Sequence, residues 1–110
     1  VNNTAAGWYT DDLGYEDRAK VAAWLGIMPE TESDGAETAK KVAEALVEAA
    51  YASEARIAVV PVQDLLGLSG RHRMNRPGTP EGNWSWRLKD GKLTDALAAK
   101  IAALAKKYGR

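Results

Sequence analysis

The sequence has 110 residues, with 15 Lys+Arg, 15 Asp+Glu, one His and no Cys. That length holds one small domain at most. Without cysteine there are no disulfides or thiolate metal sites, and one histidine supplies too few ligands for a zinc site of the usual kind. No apolar run reaches the length of a membrane span, and Val1-Asn2-Asn3-Thr4 lacks the basic and apolar regions of a signal peptide. The composition therefore predicts a soluble intracellular chain with no membrane partner. The hydrophobic fraction is 45% with no Phe, and alanine dominates it. Alanine-rich helices pack closely but bury little area each, so the core is expected to be thin.

Charge divides along the chain. Residues 1–54 carry 4 Lys+Arg and 11 Asp+Glu, a net −7, and residues 55–110 carry 11 and 4, a net +7. The simpler reading is an acidic and a basic layer facing one another, the other a basic half that meets an acidic partner.

Thr4–Tyr9 can begin a helix capped by Asn3 or Thr4, with a break over Thr10-Asp11-Asp12-Leu13-Gly14. A second helix is predicted over Tyr15–Leu25. Glu16 and Asp17 suit its first turn, Gly26 suits its C-terminal cap, and Tyr15, Ala19, Ala22 and Trp24/Leu25 fit its apolar face. Met28–Asp34 reads as a loop. A third helix follows over Gly35–Ala52. Asp34 and Glu37 form an Asp version of the capping box, and Ala39, Val42, Leu46, Ala49 and Ser53 recur at spacings of three and four. Arg56-Ile57-Ala58-Val59-Val60, stopped by Pro61, reads as a buried strand. The last helix begins at the N-cap Thr94, carries the stripe Leu97, Ile101, Leu104, Tyr108, and ends at Gly109.

This order contains a single strand. A lone buried strand leaves its backbone groups unpaired, so the pattern asks for neighbouring strands outside these residues. A strand, a long loop and a helix make one βα unit of an α/β fold, whose sites lie on the loops after strand C-termini.

The loop from Gln63 to Leu88 is the least helix-like part. Trp84 and Trp86 are two apart and face one side if the segment is extended. Paired aromatic faces suit sugar rings and equally suit core packing. Asn75, Asn83, Gln63 and Asp64 are hydrogen-bonding groups that match a hydroxyl-rich ligand or brace turns. Pro77-Gly78 is a turn signal under both readings. Arg71-His72-Arg73 with Arg76 is a basic cluster, but no helix carries a matching basic face, so a nucleic-acid partner is not expected. His72 between two arginines reads as solvated. Neither a nucleotide-binding glycine pattern nor a serine-nucleophile pattern is present.

Taken together, Ala58-Val59-Val60-Pro61-Val62-Gln63-Asp64-Leu65-Leu66-Gly67-Leu68, then Arg73-Met74-Asn75, Pro77-Gly78-Thr79 and Gly82-Asn83-Trp84-Ser85-Trp86-Arg87, resemble the C-terminal end of the amylomaltases, the 4-alpha-glucanotransferases also called disproportionating enzymes. Asn2-Asn3-Thr4-Ala5-Ala6-Gly7-Trp8-Tyr9 resembles the family segment in which an Asp-Asn-Asp-Thr run precedes Gly-Trp. The resemblance implies an α/β chain, mostly helical by itself. Residues 1–110 would form one partial domain at the C-terminal end of a (β/α)8 barrel with Arg56–Val60 as its last strand.

The resemblance also implies a retaining transfer of alpha-1,4-glucan segments between maltodextrins, in the cytoplasm, with no metal and no organic cofactor. The partners would be the maltooligosaccharide substrate and the remaining N-terminal part of the barrel. The family's nucleophile and acid/base belong to earlier strands. Its third carboxylate, aligned without a gap, falls at Val1, and the second Asp of that run falls at Asn3. No catalytic carboxylate is therefore assigned here, and these residues alone are expected to be inactive. Asn75 matches a family position that contacts substrate near the scissile bond. Asn83, Trp84, Trp86 and Asp64 match motif positions of the same substrate site, with the tryptophans and Asn83 shaping the loop and Asp64 bracing the turn after the strand. The alternative is a free-standing, non-catalytic glucan-binding module that uses Trp84 and Trp86.

Overall fold

Helix α3 (Ala36–Ala52) is the element on which the rest is laid. Its 17 residues are rich in alanine and straight-chain residues, which lose little freedom in a helix. Thr38, Ala39, Val42, Ala43 and Val47 are buried along it. The computed structural model describes residues 2–28 and 35–110. The predicted loop at 29–34, the capping role of Asp34 and the alignment of Val1 lie outside the described residues.

Helix α1 (Ala5–Gly7) crosses the first half of α3 and runs on without interruption as a π-helical turn, Trp8–Asp12. The break predicted from Thr10 begins only at Leu13, which is extended. Within the π-helical turn the Thr10 hydroxyl is satisfied by donating back to the Ala6 carbonyl at 3.2 Å. Ala6 and Tyr9 join Ala39, Val42 and Ala43 in the core, flanked by Trp8, Leu13, Val21, Leu25, Ile27 and Leu46.

Helix α2 (Tyr15–Trp24) attaches through one edge. Ala22 is buried, while Tyr15, Ala19 and Trp24 are exposed, so the predicted apolar face is displaced to Val21, Ala22 and Leu25. Its end follows the expected glycine cap, with the Ile27 amide donating to the Ala22 carbonyl at 2.8 Å. The predicted stripe of α3 also holds only through its first half, since Ala49 and Ser53 are exposed.

The predicted strand Arg56–Val60 is not formed. Among the described residues there is no strand, and the chain by itself is mostly helical, as expected of it in isolation. The physical reason is the missing neighbour: a strand exists only in a ladder. Ile57 and Val59 are instead 80% and 86% exposed. The chain then turns at Pro61 into the short helix α4 (Val62–Leu65), which packs on α3, and into a 3₁₀ turn, Gly70–His72.

Helix α5 (Asp95–Lys107) starts as predicted, with the Thr94 hydroxyl accepting from the Leu97 amide at 3.1 Å. Leu97, Ile101, Leu104 and Tyr108 are half-buried. Here the two charge layers meet: Lys100 pairs with Glu44, and Lys107 with Glu48 at 2.7 Å. The hydrogen bond from Lys107, joined by one from the Tyr108 hydroxyl, holds the Glu48 carboxyl below its ordinary range. The same bond to Glu48 raises Lys107. Arg110 closes the end of α3 by donating to the carbonyls of Tyr51, Ser53 and Ala55.

The core is as thin as the composition predicts. No residue of α5 is fully buried, and Val42 is the largest side chain wholly removed from solvent. The chain exposes 7929 Å², against roughly 5,900 Å² for a folded monomer of this mass.

Candidate glucan site

The loop that follows α4 is held in shape by its own polar groups. Arg76-Pro77-Gly78-Thr79 is a turn closed by the Thr79 amide on the Arg76 carbonyl at 3.2 Å. Gly78 lies at φ 83°, which suits the third position of a type II turn after proline. Asn83 ties this turn to the descending chain. Its Oδ1 accepts from the Arg76 amide at 2.7 Å and its Nδ2 donates to the Thr79 carbonyl at 2.9 Å. The Trp84 amide donates to the Met74 carbonyl at 2.6 Å. Arg73 reaches forward with Nε to the Asn75 carbonyl at 2.7 Å.

These bonds surround an open polar cavity of about 250 Å³ lined by Arg71, Arg73, Asn75, Arg76, Glu81 and Asn83, among others. Three guanidiniums against one carboxylate make it electropositive. The Oδ1 of Asn75 is shielded from solvent and has no hydrogen-bond donor among the described residues.

The two tryptophans do not share a face. Trp84 has φ 59°, a left-handed backbone costing about 1–2 kcal/mol for a side chain of this kind, and its ring is 63% exposed. Trp86 turns inward. Its Nε1 donates to His72 Nδ1 at 3.0 Å, with the rings edge to face at 6.2 Å and 88°. His72 is therefore engaged and not merely solvated: Nδ1 is an acceptor, which fixes the neutral ring's hydrogen on Nε2. Gln63, buried on α4, supports the same point by donating to the His72 carbonyl at 3.2 Å.

The structure thus brings Asn75 and Asn83 to one cavity, while Trp86 lies against His72. Trp84 stands out from the loop. Asp64 lies elsewhere, against a second cavity of about 150 Å³ between α3, α4 and α5. Its Oδ1 accepts from the Ala5 amide at 2.8 Å, which ties α4, at the head of the loop after residues 56–60, to the start of α1. Sequence reading had no means of finding this pairing or that of His72 with Trp86, because neither spacing is a local periodicity. Among the described residues no cluster of three or more His, Asp or Glu side chains is placed to hold a metal ion.

The comparisons with known proteins agree on one family. The model of the 4-alpha-glucanotransferases, glycoside hydrolase family 77, matches residues 2–94, and the chain belongs to that family. A 4-alpha-glucanotransferase of Solanum tuberosum, chloroplastic/amyloplastic, is 38% identical over 99% of the chain and 18% of its own length. The 4-alpha-glucanotransferase of Thermus thermophilus is 40% identical over 94% of the chain and 20% of its own length. The amylomaltase from Streptococcus agalactiae, solved in complex with acarbose, superposes with a TM-score of 0.79 at 28% identity, covering 99% of the chain and 20% of that structure. The chain therefore spans about a fifth of the length of these relatives.

Proposed function

We propose that these residues are part of a 4-alpha-glucanotransferase and form the wall of its glucan site around Asn75. The parent would move alpha-1,4-glucan segments between maltodextrins with retention. A carboxylate and a carboxylic acid from other parts of the enzyme would serve as nucleophile and acid/base, and a glucan hydroxyl would replace water as the acceptor. The contribution of this chain is binding and orientation. The observation that carries the reading is the place of Asn75, with Asn83, on the wall of an electropositive polar cavity, in a chain of this family. A primary amide can accept from one sugar hydroxyl and donate to the next. Trp84, with an exposed ring on a fixed backbone, is an apolar platform for a glucose face.

The same proposal places the chain at the C-terminal end of a (β/α)8 barrel, with residues 56–60 completing the sheet once neighbouring strands are supplied. The exposure of Ile57 and Val59 and the surplus of open surface support this. No described helix is long and apolar enough to cross a membrane. We place the enzyme in the cytoplasm, a compartment that suits a cysteine-free segment, although the potato relative is chloroplastic/amyloplastic.

The experiment is a chimera. Residues 2–110 replace the matching segment of the Thermus thermophilus enzyme, and disproportionation of maltotriose is measured. Activity is expected. It should fall by about a hundredfold or more when Val1 is included in place of the host residue before it, since a third carboxylate that holds the distorted sugar is worth several kcal/mol. An inactive, folded 2–110 chimera overturns the proposal. So does glucose release from maltotriose by the 110-residue chain alone.

A second reading rests on the exposed Trp84: the chain acts as a glucan-binding module by itself. Calorimetry of the chain with maltoheptaose decides it. Binding that disappears in Trp84→Ala favours the module, and a silent titration removes it.

A further inference from the structure

A helix leaves its first backbone amides without partners, and each needs a donor's complement from elsewhere. In α1 the Thr4 hydroxyl accepts from the Gly7 amide at 3.0 Å, the ordinary local cap. The Ala5 amide is satisfied from a distance by Asp64, 59 residues later in the chain. Upstream, Asn3 Oδ1 accepts from the Thr4 amide at 2.9 Å and its Nδ2 donates to Asp12 at 3.2 Å. Every amide from Thr4 to Ala5 is thus held by a side chain, and only Asp64 among these holders comes from outside the segment.

The contact has no slack. A Cβ on Gly7 would lie 2.6 Å from the Gly70 Cα, and a Cβ on Gly70 would lie 2.5 Å from Asp11 Oδ2. Residues 3–12 and the 3₁₀ turn therefore meet backbone to backbone. Helix α4 stands beside this seam with two adjacent side chains pointing to its two sides. Gln63 donates to His72, at the root of the loop that carries Asn75. Asp64 accepts from Ala5, at the end of the segment Asn2–Thr4.

We infer that Asp64 is a positioning residue: through the Ala5 amide it sets the distance between the segment Asn2–Thr4 and Asn75. The inference rests on the proposed function, because it gives meaning to that distance. It differs from a substrate contact by Asp64, which has its carboxylate on the chain's own backbone and lines a different cavity from Asn75.

The test uses the active 2–110 chimera, with kcat and KM for maltotriose and the thermal midpoint measured for Asp64→Ala, Asp64→Asn and Asp64→Glu. Asparagine keeps an oxygen at the same reach, so kcat should stay within about threefold of the parent. Alanine removes the acceptor and glutamate moves it. Both should lower kcat by about ten- to a hundredfold with KM within twofold, the size of loss that a displacement near 1 Å produces. If Asp64→Ala does not fold, the glutamate and asparagine variants carry the comparison. An unchanged kcat in Asp64→Glu overturns the inference. So does an asparagine variant as slow as the glutamate one, which would assign the effect to charge, or a rise in KM at constant kcat, which would make Asp64 a substrate contact. A chimera that is inactive before any Asp64 change overturns the function reading instead.

Discussion

Trp86 and Trp84 show how two copies of one residue, two positions apart, acquire different work. Trp86 packs its half-buried ring beside His72 and places its N–H on Nδ1. Trp86→Phe keeps most of the ring and removes the donor, and it should cost about 1 kcal/mol in a urea unfolding series on the chimera. Trp84 is exposed and sits in a left-handed backbone. Trp84→Gly relieves that strain while adding freedom to the unfolded chain, so stability should change by less than about 1 kcal/mol. Trp86→Gly, which also empties the space beside His72, should lose roughly 3 kcal/mol or more. Equal losses at the two positions would contradict these assignments. The pattern of two tryptophans was legible in the sequence, but their common face was not, because positive φ at Trp84 destroys the extended geometry on which that expectation rested.

At the scale of elements, α3 and α5 are joined by charge as much as by apolar contact. Glu48 is lowered and Lys107 raised by their mutual hydrogen bond. A lowered carboxyl stabilises the fold above its ordinary value of 4.5 and loses that contribution as pH falls through the folded value. A raised lysine stabilises below 10.5 and loses its contribution as pH climbs through the folded value. The difference in thermal midpoint between the parent and Glu48→Gln should therefore be fullest between these limits and shrink on both sides. Both groups are exposed, so the difference should be small and should diminish in 1 M salt. The seam of α1 against the 3₁₀ turn is steric. Gly7→Ala should cost about 1–3 kcal/mol, because the added methyl meets the Gly70 backbone at 2.6 and 2.7 Å and no side-chain movement can relieve that contact. Helix identity here was readable from local signals: the Thr94 cap, Gly26 and the first half of the α3 stripe. The packing face of α2 was readable in part: Ala22 and Leu25 of the expected face are sheltered, whereas Tyr15, Ala19 and Trp24 at the same helical spacing are exposed and Val21 packs on the core instead.

For the whole molecule, the exposed run Ile57–Val60 and the large surface belong together. If the segment pairs with strands of a parent barrel, Ile57→Asp should change the stability of the 110-residue chain by no more than about 0.5 kcal/mol. In the chimera the same substitution places a charge inside a sheet and should lower the thermal midpoint sharply or abolish folding. Equal tolerance in both settings would remove residues 56–60 from the sheet.

The sequence by itself determined the helices with clear caps, the thinness of the core, the division of charge and the family, because each of these is written in local spacing or in a long ordered motif. Its strand signal was also local: a β-branched run describes what Arg56–Val60 would become beside a neighbour, and no neighbour stands beside it here. Only the tertiary structure decided that Asp64 serves the amide of Ala5, that Trp86 serves His72, and that Asn75 keeps an acceptor out of solvent with no donor among the described residues. Those facts depend on how the chain returns on itself over tens of residues, and a hydrogen bond across such a distance leaves no periodicity to read.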